Sequence, residues 1–263
     1  PEKITSRQWL LLMESADDLS VMTSHIKAQL GDKVVGVSHG KVFNQVNDHL
    51  FTLDMGDSSH YEQLLDHLSG SRISDVVQLT VGRVNEQSMP DRQLALCSSG
   101  LHLTQQLVRY IREGHSSEDD FIIPTLWWVT QGAQSLDSDQ TTNVSQSGLW
   151  GMGRVIQTEH PELNCQLLDL DSSLDLKVSL LDCVNHLKRQ DDTGENQQLL
   201  RNHQRYVGRL CRLAKPQEEK VIEIDYSGTQ IITGGLSGIG YALCQYLVEQ
   251  GATSIALMAR SDA

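Results

Sequence analysis

Apolar residues along this chain fall in short runs that alternate with stretches of three- and four-residue periodicity. Trp9 to Met13 is a compact apolar run and reads as a buried strand. Asp17 and Asp18 open a helix whose apolar stripe is Leu19, Met22, Ile26 and Leu30, one face of a 3.6-residue period. Gly31 stands where a glycine commonly ends a helix. Lys33 to Val37 supplies the next strand. A strand, helix, strand succession predicts parallel strands covered by helices.

The theme repeats. Strands are expected at Leu50 to Leu53, Val76 to Thr80, Thr125 to Thr130 and Gln166 to Leu170. Helices are expected at Tyr61 to Leu68, Gln93 to Ile111, Gly148 to Glu159 and Leu174 to Leu187, with His160-Pro161 stopping the third. Leu199 and Leu200, then Arg205 to Leu213, read as a strand pair near a sheet edge. Lys215 to Lys220 is polar and reads as a linker. Behind it the pattern restarts: strand Thr229 to Ile232, a glycine loop, helix Ile239 to Gln250, strand Ser254 to Met258. The chain therefore reads as α/β: a Rossmann-like subdomain over 1–218, then the first β-α-β of a second Rossmann fold over 219–263.

That second unit carries the candidate chemistry. Its loop is Thr233, Gly234, Gly235, Leu236, Ser237, Gly238, Ile239, Gly240, set between a strand and a helix as a dinucleotide fingerprint requires. Gly234 allows the sharp turn out of the strand. Gly238 lets backbone approach a pyrophosphate, and Gly240 lets the helix pack closely. Free N–H groups at the helix start then face negative charge. The spacing T-G-x-x-x-G-x-G is the form used by short-chain dehydrogenases. At the end of the second strand an acid would accept the ribose hydroxyls of NAD; this chain has Arg260 and Ser261 there. A guanidinium pairs with a 2′-phosphate, so NADP(H) is the expected cofactor. Asp262 close by works against it. The first β-α-β has no such loop: its turn is Glu14-Ser15-Ala16-Asp17-Asp18, with no glycine and three carboxylates where phosphates would sit.

Charge and composition exclude other classes. The net charge of −13 repels nucleic acid phosphates and anionic lipid head groups. Clusters such as Glu118-Asp119-Asp120 read as solvated loops. The five cysteines, Cys97, Cys165, Cys183, Cys211 and Cys244, form no CxxC pair and most have apolar neighbours. They read as small buried hydrophobes in a reducing, cytoplasmic setting. No apolar run approaches a membrane span. The ten histidines include no HExxH and no zinc-like spacing, so no metal site is expected. Trp127 and Trp128 point to opposite faces of one strand, as packing residues. Arg154 is read as structural, pairing with an acidic neighbour or helping to join the subdomains.

Longer stretches carry a resemblance. Leu126 to Gln134 (LWWVTQGAQ) resembles an LWxVTxGA strand, and Leu149 to Glu162 (LWGMGRVIQTEHPE) resembles a GLGRVxxxEHPE helix. Leu167 to Asp171 (LLDLD), Arg205 to Leu210 (RYVGRL) and Ile231 to Gly240 (IITGGLSGIG) are similar to LVDLD, RYVARL and LITGGLGGLG. Together, in order, they resemble the ketoreductase domain of modular polyketide synthases: a structural subdomain, then a short-chain dehydrogenase subdomain. The resemblance implies NADPH-dependent reduction of a 3-oxoacyl thioester on an acyl carrier protein, beside neighbouring synthase domains. In the family a tyrosine protonates the alkoxide, a serine holds the developing oxyanion, and a lysine and an asparagine complete the relay. No tyrosine here has asparagine or lysine four residues on, so no catalytic residue is carried over, and those groups are expected beyond Ala263. Only a short stretch separates Leu213 from Gln230, so no enoylreductase insertion is expected. The competing reading is a catalytically inactive pseudo-ketoreductase that braces a megasynthase; the glycine loop and Arg260 count against it.

Overall fold

The apolar runs become the central strands of one large sheet. The computed structural model describes residues 8–69, 71–81, 88–114, 121–136, 142–188, 194–212 and 225–260. In chain order the first elements are β1 (Gln8–Met13), α1 (Ala16–Leu30), β2 (Lys33–His39), β3 (Asn44–Asn47), β4 (Leu50–Leu53), α2 (Ser58–His67) and β5 (Asp75–Thr80). There follow α3 (Met89–Gly114), β6 (Thr125–Gln131), α4 (Val144–Glu159), β7 (Gln166–Leu170), α5 (Leu176–Lys188), β8 (Gln197–Arg201) and β9 (Gln204–Val207). The last three are β10 (Thr229–Thr233), α6 (Gly238–Glu249) and β11 (Ser254–Met258). Two compact units result, Pro1–Arg209 and Leu210–Ala263. The expected boundary at 218/219 and the linker Lys215 to Lys220 lie outside the described residues, as does the Glu118 to Asp120 cluster.

In the first unit nine strands pair in the order β3-β4-β2-β1-β5-β6-β7-β8-β9. From β4 through β8 every pairing is parallel, and antiparallel β3 and β9 close the two edges. Strand alternation sends successive side chains to opposite faces. Leu10, Leu12, Val76, Leu126 and Trp128 meet Tyr61 and Leu64 of α2, Leu103 and Leu107 of α3, and Trp150 of α4. Trp9, Leu11, Met13, Val77 and Val129 meet Leu19, Met22 and Ile26 of α1 and Leu180, Cys183 and Val184 of α5. Trp127 packs on that second side, so the two adjacent tryptophans do serve opposite layers.

Several boundaries differ from the periodicity, each for a local reason. Helix α3 begins at Met89 rather than Gln93, because the Asp91 N–H donates to Ser88 Oγ (3.3 Å) and Pro90 fits a first turn. Helix α5 begins at Leu176 rather than Leu174, because Asp175 Oδ1 accepts from the Lys177 N–H at 2.9 Å. Strand β3 was not expected. Its sequence, NQVN, is polar and fully exposed, and its register shifts between Gln45 and Asn47; exposed polarity and a bulge protect a sheet edge. The thiols divide: Cys165 and Cys183 are buried, Cys97 and Cys244 are partly buried, and Cys211 is exposed, where burial is expected of most of them. Burial pushes the Cys165 and Cys183 thiols up to about 12.

The second unit is small. Strands β10 and β11 pair in parallel from Thr229↔Ser254 to Thr233↔Met258, with α6 between them in sequence. Among its described apolar side chains only Ile232 and Leu247 are buried.

Candidate dinucleotide site

The glycine loop is shaped by its backbone. Strand β10 ends at Thr233, and Gly234 turns out of it at φ 69°, a left-handed conformation that favours glycine. The Gly234 N–H donates to the Met258 carbonyl at 2.7 Å, which ties the turn to the end of β11. Gly235 is buried; a Cβ there would lie 2.6 Å from Leu257 Cδ2. Leu236 completes the turn and is exposed. A Cβ on Gly240 would run into the carbonyl of Gly234. The close approach expected of Gly240 is therefore made to the loop's own turn.

Ser237 is the N-cap of α6, in extended conformation, and its side chain makes no capping hydrogen bond. This sets α6 apart from α1 and α2, where Ser15 and Asp57 accept from backbone N–H groups. Gly238 has φ 55°, and the space where a Cβ would stand is open. Ile239, the next residue, is 89% exposed. The start of α6 thus presents N–H donors that its own side chain leaves uncapped, at the positive end of the helix dipole. Arg260 lies two residues beyond Met258 and is exposed, so the bond from Gly234 holds the chain that carries it beside the loop. Ser261 and Asp262 lie outside the described residues.

The strand order of the first unit reverses between β1 and β5, the place where doubly wound sheets commonly bind ligands. There its groups are engaged with one another. Arg92 donates to both carboxylate oxygens of Glu14, at 2.6 and 2.8 Å. Ser15 Oγ accepts from the Asp18 N–H at 3.2 Å, capping α1. Farther along the same end of the sheet, Asp169 is fully buried; it accepts from Thr130 Oγ1, from the Ala133 N–H (2.8 Å) and from Arg201 Nη2. The Arg201 guanidinium also donates to the Asp169 (2.9 Å) and Gln134 (2.6 Å) carbonyls. For Asp171 burial pulls the carboxyl upward, but bonds from Ser173 and the Asn202 N–H, with Arg201 nearby, outweigh it and hold the group below its ordinary value. Sequence reasoning flagged Glu14, and Asp169 only as part of the Leu167 to Asp171 stretch, but not Arg92 or Arg201. Arg92 and Arg201 are distant in sequence from the carboxylates they meet, and no local pattern marks them.

Other candidates resolve into packing. Arg154 donates to Gln197 Oε1 at 3.0 Å and lies over the Trp150 ring at 5.9 Å, so of the two structural roles considered for it, an acidic neighbour gives way to an amide and an aromatic face. The His160 N–H donates to the Ile156 carbonyl at 2.8 Å, closing α4. Among the described residues no group of three or more His, Cys, Asp or Glu side chains is placed to hold a metal ion.

Residues 12–210 match the family described as polyketide synthase extender module SpnB, Rossmann fold domain. The chain belongs to this family of polyketide synthase Rossmann fold domains. Residues 228–263 of this ketoreductase-type chain match the KR domain. It is 32% identical over 137 residues to a component of the phenolphthiocerol/phthiocerol polyketide synthase of Mycobacterium tuberculosis, a match that covers 52% of this chain and 9% of that relative. Its fold is similar to that of A-type ketoreductases from a modular polyketide synthase, with TM-score 0.61 at 22% identity, covering 99% of this chain and 51% of that one. It is also similar to a multidomain structure holding the adenylation, ketoreductase and pseudo Asub parts of a keto acid-selecting NRPS module. There the TM-score is 0.77 at 20% identity, over 99% of this chain and 21% of the other. The chain thus spans about half of a solved ketoreductase and a small part of its curated relatives.

Proposed function

We propose that this chain forms part of an NADPH-dependent ketoreductase, with the cofactor held by Thr233 to Gly240, Arg260 and Ser261. The observation that carries the reading is the start of α6. Ser237 leaves the helix uncapped, Gly238 opens space at the first turn, and Gly234 ties the loop to the strand that leads to Arg260. Backbone N–H groups of that turn would hold a pyrophosphate, and the Arg260 guanidinium would pair with a 2′-phosphate. When bound, NADPH supplies the hydride. Within this chain the loop residues bind and orient, and no residue of the chain is assigned a proton transfer. The substrate proposed is a 3-oxoacyl thioester on an acyl carrier protein, reduced to the 3-hydroxyacyl form beside neighbouring synthase domains in the cytoplasm.

The first unit is proposed as structural. Arg92 pairs with Glu14 and Arg201 with Asp169, so those carboxylates already have their cations. No helix among the described residues is long and apolar enough to cross a membrane.

NADPH fluorescence titration of the whole protein tests the reading. Saturable binding is expected, with NADH bound more weakly. Arg260→Ala should lower NADPH affinity by roughly 1.5–3 kcal/mol, the size of a hydrogen bond to a charged group, and leave NADH binding unchanged. Equal loss for both cofactors would remove Arg260 from the site. Absence of NADPH binding by the intact protein would favour the inactive, bracing role instead.

A further inference from the structure

A buried polar chain runs beneath α3. Gln78 of β5, Ser99 of α3 and Tyr61 of α2 are all buried, as is Trp128 of β6. Gln78 Nε2 lies 2.7 Å from Ser99 Oγ, Ser99 Oγ lies 2.7 Å from Tyr61 Oη, and Tyr61 Oη lies 3.3 Å from the Met55 carbonyl oxygen. Proton direction along this chain is fixed from its far end. A carbonyl only accepts, so the Tyr61 hydroxyl donates to Met55. The Tyr61 oxygen then accepts from Ser99, and Ser99 accepts from the Gln78 amide nitrogen. Turning the amide over would set its oxygen against a hydroxyl whose one proton is already committed. The chain therefore ends on Gln78 Oε1, an acceptor that is buried and has no hydrogen-bond partner.

A buried donor without a partner stands close by. Trp128 Nε1 has none, and Trp128 is the residue paired with Gln78 in the β5–β6 register. Paired residues of neighbouring strands put their side chains on one face. Both side chains also reach the same turn of α3. Gln78 bonds Ser99, and a Cβ on the adjacent Gly100 would lie 3.0 Å from Trp128 Cζ2. Cζ2 is bonded to the ring carbon that bears Nε1, and Oε1 shares its carbon with Nε2. The groups that bear donor and acceptor thus both reach residues 99–100. Buried polar groups left unpaired cost about 1–3 kcal/mol each, and a protein interior commonly satisfies such a pair with an ordered water.

We propose that a single internal water binds here, accepting from Trp128 Nε1 and donating to Gln78 Oε1. It completes one directed hydrogen-bond chain from β6 through β5, α3 and α2 to Met55. Gly100 has a role in this site: any larger residue would press on the indole that supplies the donor.

A crystal structure of the whole protein that resolves ordered solvent tests this directly. A water peak within hydrogen-bond distance of both atoms is expected. A direct bond between Nε1 and Oε1, or a dry gap between them, would overturn the proposal. Thermal unfolding of Trp128→Phe, Gln78→Leu and the double variant gives an independent reading. Each single change should lower the Tm, and the double change should lower it by less than the sum, because either single change already strands the water. Strict additivity would count against a shared water. Should a variant fail to fold, the wild-type crystal structure still decides.

Discussion

At the scale of single residues, the chemistry of this chain is governed by where charged groups find partners. Asp169 is fully buried and Arg201 nearly so, and each satisfies the other together with surrounding backbone. Removing one member of such a pair strands the other in low dielectric, which costs about 3–5 kcal/mol. Arg201→Met should therefore lower unfolding free energy by that amount in urea denaturation, whereas an exposed arginine such as Arg212 should tolerate the same change. Asp171 makes a pH-dependent contribution. Its carboxyl is held below the ordinary 3.8, so the stabilisation is fully present above that value and is lost as pH falls through the folded-state value. Between about pH 5 and about pH 3 the Tm of the wild type should fall more steeply than that of Asp171→Asn.

At the scale of elements, glycines set how closely helices approach strands. A Cβ on Gly153 of α4 would collide with the Leu167 side chain of β7. Helix and strand are both packed core elements, so Gly153→Ala should cost about 1–3 kcal/mol by overpacking, measurable as a shift in the urea midpoint. Gly151, in the same helix, has open space around it; Gly151→Ala should be neutral or mildly stabilising. The contrast separates packing from helix propensity. Sequence periodicity located α4 but could not rank its glycines, because the neighbour that decides each one comes from elsewhere in the chain.

At the scale of the whole molecule, the two units differ in self-sufficiency. The first has a nine-stranded sheet with packed helices on both faces. The second buries only Ile232 and Leu247 among its described apolar side chains, far too little to offset the conformational entropy of ordering it. A fragment of residues 1–212 should give cooperative thermal unfolding, while a fragment of residues 225–263 should show a disordered circular dichroism spectrum. A folded short fragment would mean that local propensity alone holds the β-α-β together.

The sequence by itself determined the α/β class and the order of the apolar strands and helices, though not the polar edge strand β3, because hydrophobic period is a local property. It also placed the glycine loop, since Gly234 and Gly238 adopt positive φ for reasons contained within a few residues. The family resemblance was legible for the same reason, as contiguous stretches such as Leu149 to Glu162. Tertiary structure alone decided strand order and which residues neutralise one another: Arg92 meets Glu14 and Arg201 meets Asp169 across long stretches of chain. It also decided that Gln78 and Trp128 stand side by side with a stranded acceptor and donor. Such pairings follow from the parallel register of the sheet, which brings distant segments together and leaves no trace in the spacing of residues along the chain.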